Sequence, residues 1–206
     1  MISTHGRPPA RGFSMVELVI VVAITLVVAA VAIPQVLIAT QNFKLRSTAS
    51  SLSGLIQKAR MLAVARNATC PPGTATCSQN GYYAAKAVFS GGLYNFFVDM
   101  DGNGTINPTS IENTSVLAPP DVVPDSSANP SNTSMSLGST PVVNLPAFNA
   151  RGLPCTVSGG ACTVTGQGYI YYLRQDRAIG ATGWAAVTVS PAGRAQVWTW
   201  DGSKWE

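Results

Sequence analysis

The stretch that decides the fold is residues 11–33, which read RGFSMVELVIVVAITLVVAAVAI. Its second part, Leu18–Ile33, is sixteen residues long, and Thr25 is its only polar member. Eleven of these residues are Val, Ile or Leu, and together they contribute roughly 3 to 7 kcal/mol toward membrane insertion. Few cores of water-soluble proteins accept so long an apolar run. The run therefore predicts a membrane-spanning helix, which apolar residues extend to about Ile38.

Basic residues flank this run on both sides. Arg7 and Arg11 precede it, and five further cations follow it with no acid among them: Lys44, Arg46, Lys58, Arg60 and Arg66. Cations ahead of a span favour a cytoplasmic N-terminus. The sequence thus predicts a single-pass membrane protein, with everything after the span on the far side of the membrane.

The residues just before the span are unusual for a secretory signal. No clear Ala-x-Ala cleavage site follows the apolar stretch, whereas Gly12 and Phe13 stand immediately ahead of it and Glu17 lies inside its first turns. An ionisable residue in a membrane segment is by default functional, because membrane solubility gives no reason for it. Glu17 is therefore predicted to have a partner.

These residues resemble the class III signal of the type IV pilin family, which includes the pseudopilins of type II secretion. That signal is a short basic leader, Gly, then Phe, with Glu four residues further on, and Gly12, Phe13 and Glu17 match it. The resemblance implies that a prepilin peptidase removes residues 1–12 and methylates the new amino group of Phe13. It further implies assembly with other pilins or pseudopilins through the N-terminal helix, after residence in the bacterial inner membrane.

Pro34 is a second residue that resembles the family. A proline can neither donate a backbone N–H nor sit easily inside a helix. It predicts either a helix stop or a kink, and the pattern beyond it favours the kink. Apolar residues recur at spacings of four and three, which is typical of an amphipathic helix. They are Leu45, Ala49, Leu52, Ile56, Ala59 and Ala63. The sequence thus predicts an assembly helix over 13–38 that continues as an amphipathic helix over 39–66.

Residues 67–206 are predicted to form a β-rich head, because short β-type runs alternate with Gly, Pro, Asn and Ser. The predicted strands are Tyr82–Phe89, Leu93–Val98, Pro141–Leu145, Tyr169–Arg174, Trp184–Ser190 and Arg194–Trp200. A polar, proline-containing insertion at about 119–140 is interpreted as a long exposed loop. The fold class is α+β: a long helix packed on an antiparallel sheet, the type IV pilin fold.

The four cysteines form two similar pairs, Cys70/Cys77 and Cys155/Cys162. Three pairings are possible, but each intervening segment is rich in turn-forming residues, which favours a local disulfide in each pair. Free buried thiols and a zinc site are the alternatives, although zinc ligands usually come as closer Cys pairs. Disulfides require an oxidising compartment outside the cytoplasm.

The composition argues against an enzyme. The only histidine, His5, lies in the predicted leader, so the mature chain has no imidazole for general-base chemistry. No phosphate loop is present. The sequence therefore predicts a structural subunit without a resident cofactor, working in a pilus or a secretion pseudopilus.

Later stretches resemble the GspH/FimT/FimU group of minor pilins and pseudopilins. They are Ala59-Arg60 with Ala63 and Arg66-Asn67, Phe97-Val98-Asp99 with Gly102 and Gly104, Phe148–Gly152, and Ser190–Arg194 followed by the closing strand. FimT-like members are associated with DNA uptake. Here Gln196 stands where a second basic residue is expected, and from Asn67 onward six Lys/Arg face eight Asp/Glu. The sequence therefore argues against nucleic acid as the main partner and leaves it open as an alternative.

Two further sites remain open alternatives on the sequence. Arg194 and Lys204, beside Trp198 and Trp200, offer cations and stacking faces for single-stranded DNA, unless the tryptophans pack into the core. Residues 99–106 also read like the start of a calcium loop, with Asp99, Asp101 and Asn103 as ligands. The twelfth position is Ser110 rather than an acid, and a Gly-rich hairpin turn explains the same residues.

Overall fold

The computed structural model describes residues 13–65, 82–99, 115–125, 130–131, 135, 140–141, 144–158, 161–177 and 183–206. The described part forms one α-helix and eleven β-strands. They are α1 Met15–Ala65, β1 Tyr82–Ser90, β2 Leu93–Asp99, β3 Val116–Leu117, β4 Val122–Pro124, β5 Thr140–Pro141, β6 Ala147–Asn149, β7 Pro154–Ser158, β8 Ala161–Thr163, β9 Tyr169–Gln175, β10 Gly183–Val189 and β11 Ala195–Thr199.

Helix α1 is continuous over 51 residues, which corresponds to a length of about 76 Å. It passes through Pro34 without ending, so Pro34 is not a helix stop. The Thr25 side chain inside the apolar run is satisfied locally, because its hydroxyl donates to the Val22 carbonyl at 2.8 Å. Such back-bonding lets a hydroxyl sit on an apolar helix without an unpaired donor. The prediction of one helix from the apolar run to about residue 66 is confirmed.

The second part of α1 packs against the strands. All six residues of the predicted apolar stripe are buried, together with Thr48 and Leu55. The Thr48 hydroxyl donates to the Lys44 carbonyl at 2.9 Å, so the one polar group of this face is satisfied. Burial of a stripe at spacings of three and four is what an amphipathic helix achieves on a sheet.

Two sheets flank the helix. The first has the strand order β3-β2-β1-β6-β7-β8 and the second has the order β11-β10-β9-β4, with β5 pairing parallel to β9. All other pairings between the described strands are antiparallel. A long helix on antiparallel sheets is an α+β arrangement consistent with the type IV pilin fold, so the predicted fold class is confirmed.

The main core lies between the helix and the inner faces of both sheets. From the helix it takes the buried stripe, and from the strands it takes alternate residues such as Phe96, Tyr171 and Val187. Phe96 and Tyr171 meet edge to face with their ring centroids 6.5 Å apart, which is a favourable aromatic geometry. This core therefore joins the two sheets through the helix.

A second cluster covers the outer face of the second sheet. Met135, Ile170, Tyr172, Trp184, Ala186 and Trp205 are buried there. The Trp205 indole donates to the Ser131 carbonyl at 3.0 Å. The prediction of a plain exposed loop at 119–140 is therefore wrong for the described part of that segment, which contains strand β4 and the buried Met135.

The predicted strand Pro141–Leu145 also needs correction. The structure has β5 at Thr140–Pro141 and a separate strand β6 at Ala147–Asn149, with Leu145 buried between them. The sequence pattern did not predict five short strands of two to five residues, which are β3, β4, β6, β7 and β8. Strands this short carry too little alternation to be detected by pattern. The other five predicted strands are confirmed, and each of their ends lies within one residue of the end in the structure.

Candidate assembly interface

The first part of α1 projects from the head. Its first described contact with the head is at Asn42, so 27 helical residues, 15–41, precede the packed part, which is a projection of about 40 Å. Large apolar side chains lie exposed around its whole circumference; Leu26, for example, is 65% exposed and Val27 is 68% exposed. Apolar surface on this scale marks a site that contacts a membrane or other proteins. Among the described residues, α1 is the helix long and apolar enough to span a membrane.

The start of the helix carries Phe13 and Glu17, one of the predicted processing residues and one of the predicted assembly residues. Phe13 precedes the helix and is 77% exposed, and Glu17 is the acid of the first helical turn. Ser14 is the last residue before the helix, and its carbonyl accepts a hydrogen bond from the Leu18 N–H at 3.2 Å. An acid in the first turn interacts favourably with the helix dipole. Gly12 lies outside the described residues.

Residues 7–33 match a known motif. The match is to the family model for the prokaryotic N-terminal methylation motif. It covers Gly12, Phe13 and Glu17 and most of the apolar run, and it supports a type IV pilin-like protein that is processed by a prepilin peptidase, anchored in a membrane and assembled with other pilins. No curated protein and no solved structure matches the chain.

The helix meets the head at residues 42–46. Asn42 accepts a hydrogen bond from the Arg177 guanidinium, and the Lys44 ammonium lies 3.6 Å from the Asp121 carboxylate. Further along, the Arg46 guanidinium donates to the Thr199 hydroxyl at 3.3 Å. The methylation-motif helix therefore passes directly into the head, with polar contacts at the point of entry.

Of the two cysteine pairs, the structure describes one. Cys155 and Cys162 form a disulfide with a Cα–Cα separation of 5.4 Å, linking β7 to β8. This pairing agrees with the local assignment for Cys155 and Cys162 and excludes free thiols or a zinc site there. Cys70 and Cys77 lie outside the described residues, so their pairing stays a prediction.

The predicted calcium loop is described only at its first residue. The Asp99 carboxylate is almost fully buried and forms an ion pair with the Lys86 ammonium from the neighbouring strand. Asp101 and Asn103 lie outside the described residues. Among those described, no group of three or more His, Cys, Asp or Glu side chains could hold a metal. Calcium binding therefore stays a prediction, and Asp99 has a structural role as the partner of Lys86.

The four residues predicted to bind DNA do not share one small site. Arg194 precedes β11 and Trp200 follows it, which separates them by about 20 Å along the strand. The Trp198 indole donates to the Thr188 hydroxyl at 2.9 Å, and the Trp200 ring lies 5.4 Å from the Trp205 ring. Trp198 and Trp200 thus pack against the outer cluster, which is the alternative that the sequence left open. Lys204 is exposed in the turn that follows.

A contact that the sequence pattern did not predict joins three of the stretches resembling the minor pilin group. The Arg60 side chain donates from Nε to the Gly152 carbonyl at 3.2 Å. A Cβ atom on Gly193 would lie 2.5 Å from that same carbonyl and 2.9 Å from Arg60 Nε. Gly152 and Gly193 both have positive φ, 71° and 80°, which side chains disfavour. The helix and two turns therefore meet at a point where only glycine fits.

Proposed function

We propose that this chain is an assembly subunit, a minor pilin or pseudopilin, that helps to prime or cap the fibre of a type IV pilus or type II secretion pseudopilus. The observation that carries the proposal is the projecting half of α1, in which exposed apolar side chains occupy every side from Leu18 to Leu37, over about 30 Å. A helix that is apolar all round requires a membrane or a bundle of similar helices. The methylation motif at its start supports both environments, the membrane before assembly and the helix bundle of the fibre after it.

Processing between Gly12 and Phe13 gives Glu17 its partner. In the membrane, Glu17 lies near the end of the span, where water and headgroups make a carboxylate less costly than at the centre. In a packed bundle of helices the same carboxylate is buried, and an unpaired buried charge is strongly unfavourable. The amino group of Phe13, four residues away or on a neighbouring subunit, neutralises it. Pairing between subunits rewards one axial register over the others.

A local role for Glu17 competes with this one. Ser14 and Glu17 stand at the first and last positions of the Ser-x-x-Glu capping-box pattern, directly at the start of α1. A glutamine satisfies that pattern as well as a glutamate does, but it carries no charge. Glu17→Gln therefore separates helix capping from charge pairing.

The test is incorporation of Glu17 variants into sheared fibres. We expect Glu17→Ala and Glu17→Gln to be inserted, cleaved after Gly12 and folded as the wild type, yet both to be lost from the fibre. Mass spectrometry of the processed chain checks that it begins at Phe13. If Glu17→Gln is incorporated normally, Glu17 acts as a cap rather than as a charge. Normal incorporation of Glu17→Ala would falsify the role of Glu17 altogether.

Nucleic acid is a second candidate partner, implied by the resemblance to FimT-like members. It is supported by the exposure of Arg151 and Arg194, which lie in the two turns that meet at Arg60. Among the described residues, no acid forms an ion pair with any of these three arginines. Binding of a fluorescent single-stranded oligonucleotide to Arg194→Ala, with Lys204→Ala as the matched control, tests it. Contact at these turns predicts salt-dependent weakening only for Arg194→Ala.

A further inference from the structure

Strand β6 begins only at Ala147, and a slot lies before this residue, between the two neighbouring strands. It pairs with β1 only as far as Ala84 opposite Ala147, and with β7 only as far as Ala147 opposite Cys155. Strand β1 continues to Ser90 and β7 to Ser158. Within the described residues, no strand occupies the line of β6 beyond Ala147. As far as the chain is described, the edges of β1 and β7 therefore flank a position beyond Ala147 that no strand fills.

The sequence explains why β6 stops. The next residue in its line is Pro146, which has no N–H to donate to a ladder. The residue beyond it, Leu145, is buried in the main core rather than aligned with β1. The chain therefore turns inward at the point where pairing with Ala85 and Lys86 would have continued.

A cavity of about 780 Å³ fills this place. Its lining includes Ala85, Lys86 and Ala87 from β1, Thr156 and Val157 from β7, the tyrosines Tyr94, Tyr169 and Tyr171, and Asn144, Leu145 and Pro146, which precede β6. Two of the three β1 positions carry only a methyl group, which leaves room beside the strand. Two strands that flank a third are separated by about 9.5 Å. The gap between β1 and β7 beyond Ala147 therefore has the width of one extended chain.

The slot has the chemistry of a strand site. Backbone N–H and C=O groups of β1 and β7 that β6 would have paired face into it, and such edges recruit extended peptides. Lys86 does not block it, because its side chain lies on the other face of the sheet and pairs with Asp99. Burial, with a smaller contribution from Tyr94, raises the pKa of Tyr171. The lining residues named above, other than Lys86, have apolar side chains or side chains whose only polar group is a hydroxyl or an amide, so the slot suits apolar or neutral side chains.

We propose that the slot receives an extended, uncharged segment of a neighbouring subunit as a strand in line with β6. The proposal rests on the assembly function, because assembly is what brings another head alongside this one. The segment forms main-chain hydrogen bonds with β1 on one side and β7 on the other. Its alternate side chains contact Tyr94, Tyr169 and Tyr171. Helix packing and strand insertion are thus separate contacts between subunits.

Amide hydrogen exchange of the full chain, in detergent micelles and in sheared fibres, tests the proposal. Alternate amides of residues 85–90 face the slot. We expect these to exchange rapidly in micelles and at least about tenfold more slowly in fibres, as they would if hydrogen-bonded only after assembly. Amides at the β9–β10 pairing, which are paired in both states, serve as the internal reference.

A pair of variants on one strand sharpens the test. Ala87→Trp fills the slot, whereas Val88→Trp, on the opposite face of β1, lies outside its lining. We expect Ala87→Trp to lose incorporation into fibres at least about tenfold relative to Val88→Trp, for chains of equal thermal stability. If Ala87→Trp fails to fold, the wild-type exchange experiment decides alone.

Two exchange results would overturn the slot proposal by itself: slow exchange of residues 85–90 already in micelles, or fast exchange that persists in fibres. Either leaves the assembly function intact. A chain that never enters a fibre overturns the assembly function and the slot proposal together.

Discussion

The two halves of α1 belong to one continuous helix but differ in where their apolar residues lie. In the projecting half, large apolar side chains occupy every side, and Ile20, Leu26 and Val31 are each more than half exposed. In the packed half they form a single stripe, and Leu52 and Ile56 have no exposed surface. The comparison shows that the distribution of apolar residues around a helix, rather than their number, indicates its environment.

The largest expected effect separates the halves directly. Leu52→Ala leaves a cavity in the main core and should lower the free energy of unfolding of the head by about 2 to 5 kcal/mol. Leu26→Ala is the matched control, because the same atoms are removed from an exposed position. We expect it to leave head unfolding unchanged. Denaturant unfolding of the full chain in detergent, followed by tryptophan fluorescence, measures both. Equal effects would mean that the projecting half also stabilises the head.

The second prediction concerns the contact of the packed half with the two turns. Gly193→Ala combines a positive φ with a Cβ atom 2.5 Å from the Gly152 carbonyl, and we expect a loss of about 2 to 4 kcal/mol in unfolding free energy. Gly91→Ala has a positive φ but nothing within 4 Å, so it should lose only about 1 to 2 kcal/mol. The difference between the two variants measures the contact. Equal losses would show that Arg60 and Gly152 yield without cost.

A stabilising change is expected on the exposed side of the packed half. Gly54 lies within the helix, and a methyl group added at its Cα would have nothing within 4 Å. Gly54→Ala should raise the unfolding free energy by about 0.5 to 1 kcal/mol, because alanine loses less backbone entropy in a helix. The same unfolding titration measures it. A loss of stability would indicate that Gly54 is needed for a bend in α1.

The smallest effect on the head is predicted for Pro34. Pro34→Ala restores a backbone donor in the projecting half, which contributes nothing to the main core. We therefore expect the unfolding midpoint of the head to stay within error, while incorporation into fibres changes because the path of the helix changes. A shifted midpoint would show that the geometry at Pro34 is transmitted into the head.

The helix could be predicted well from the sequence because both of its signals are local. A run of sixteen nearly uninterrupted apolar residues and a stripe at spacings of three and four can be recognised without knowing the fold. The class III signal around Gly12, Phe13 and Glu17 is equally local. Most long strands of the head, such as β9 and β10, were also predictable from their β-branched and aromatic residues.

What the sequence did not predict depends on residues far apart in the chain. The Arg60 to Gly152 hydrogen bond spans 92 positions, and the Trp205 to Ser131 hydrogen bond spans 74. Met135 is buried because residues distant from it in the chain, among them Trp184 and Trp205, pack with it on the outer face of the second sheet. The four residues predicted to bind DNA are close in sequence but apart in the fold, because Arg194 precedes β11, Trp198 and Trp200 pack against the outer cluster, and Lys204 lies in the turn beyond.

Because α1 runs without a break from the membrane segment into the core, the angular setting of the head is fixed by helical phase. Each residue between Leu37 and Asn42 advances the helix by about 1.5 Å and turns it by about 100°. One inserted residue there would leave the apolar half and the head each intact, but the head would point a quarter-turn or more away from its former neighbours. The number of residues between anchor and head therefore determines which face each head shows to the next.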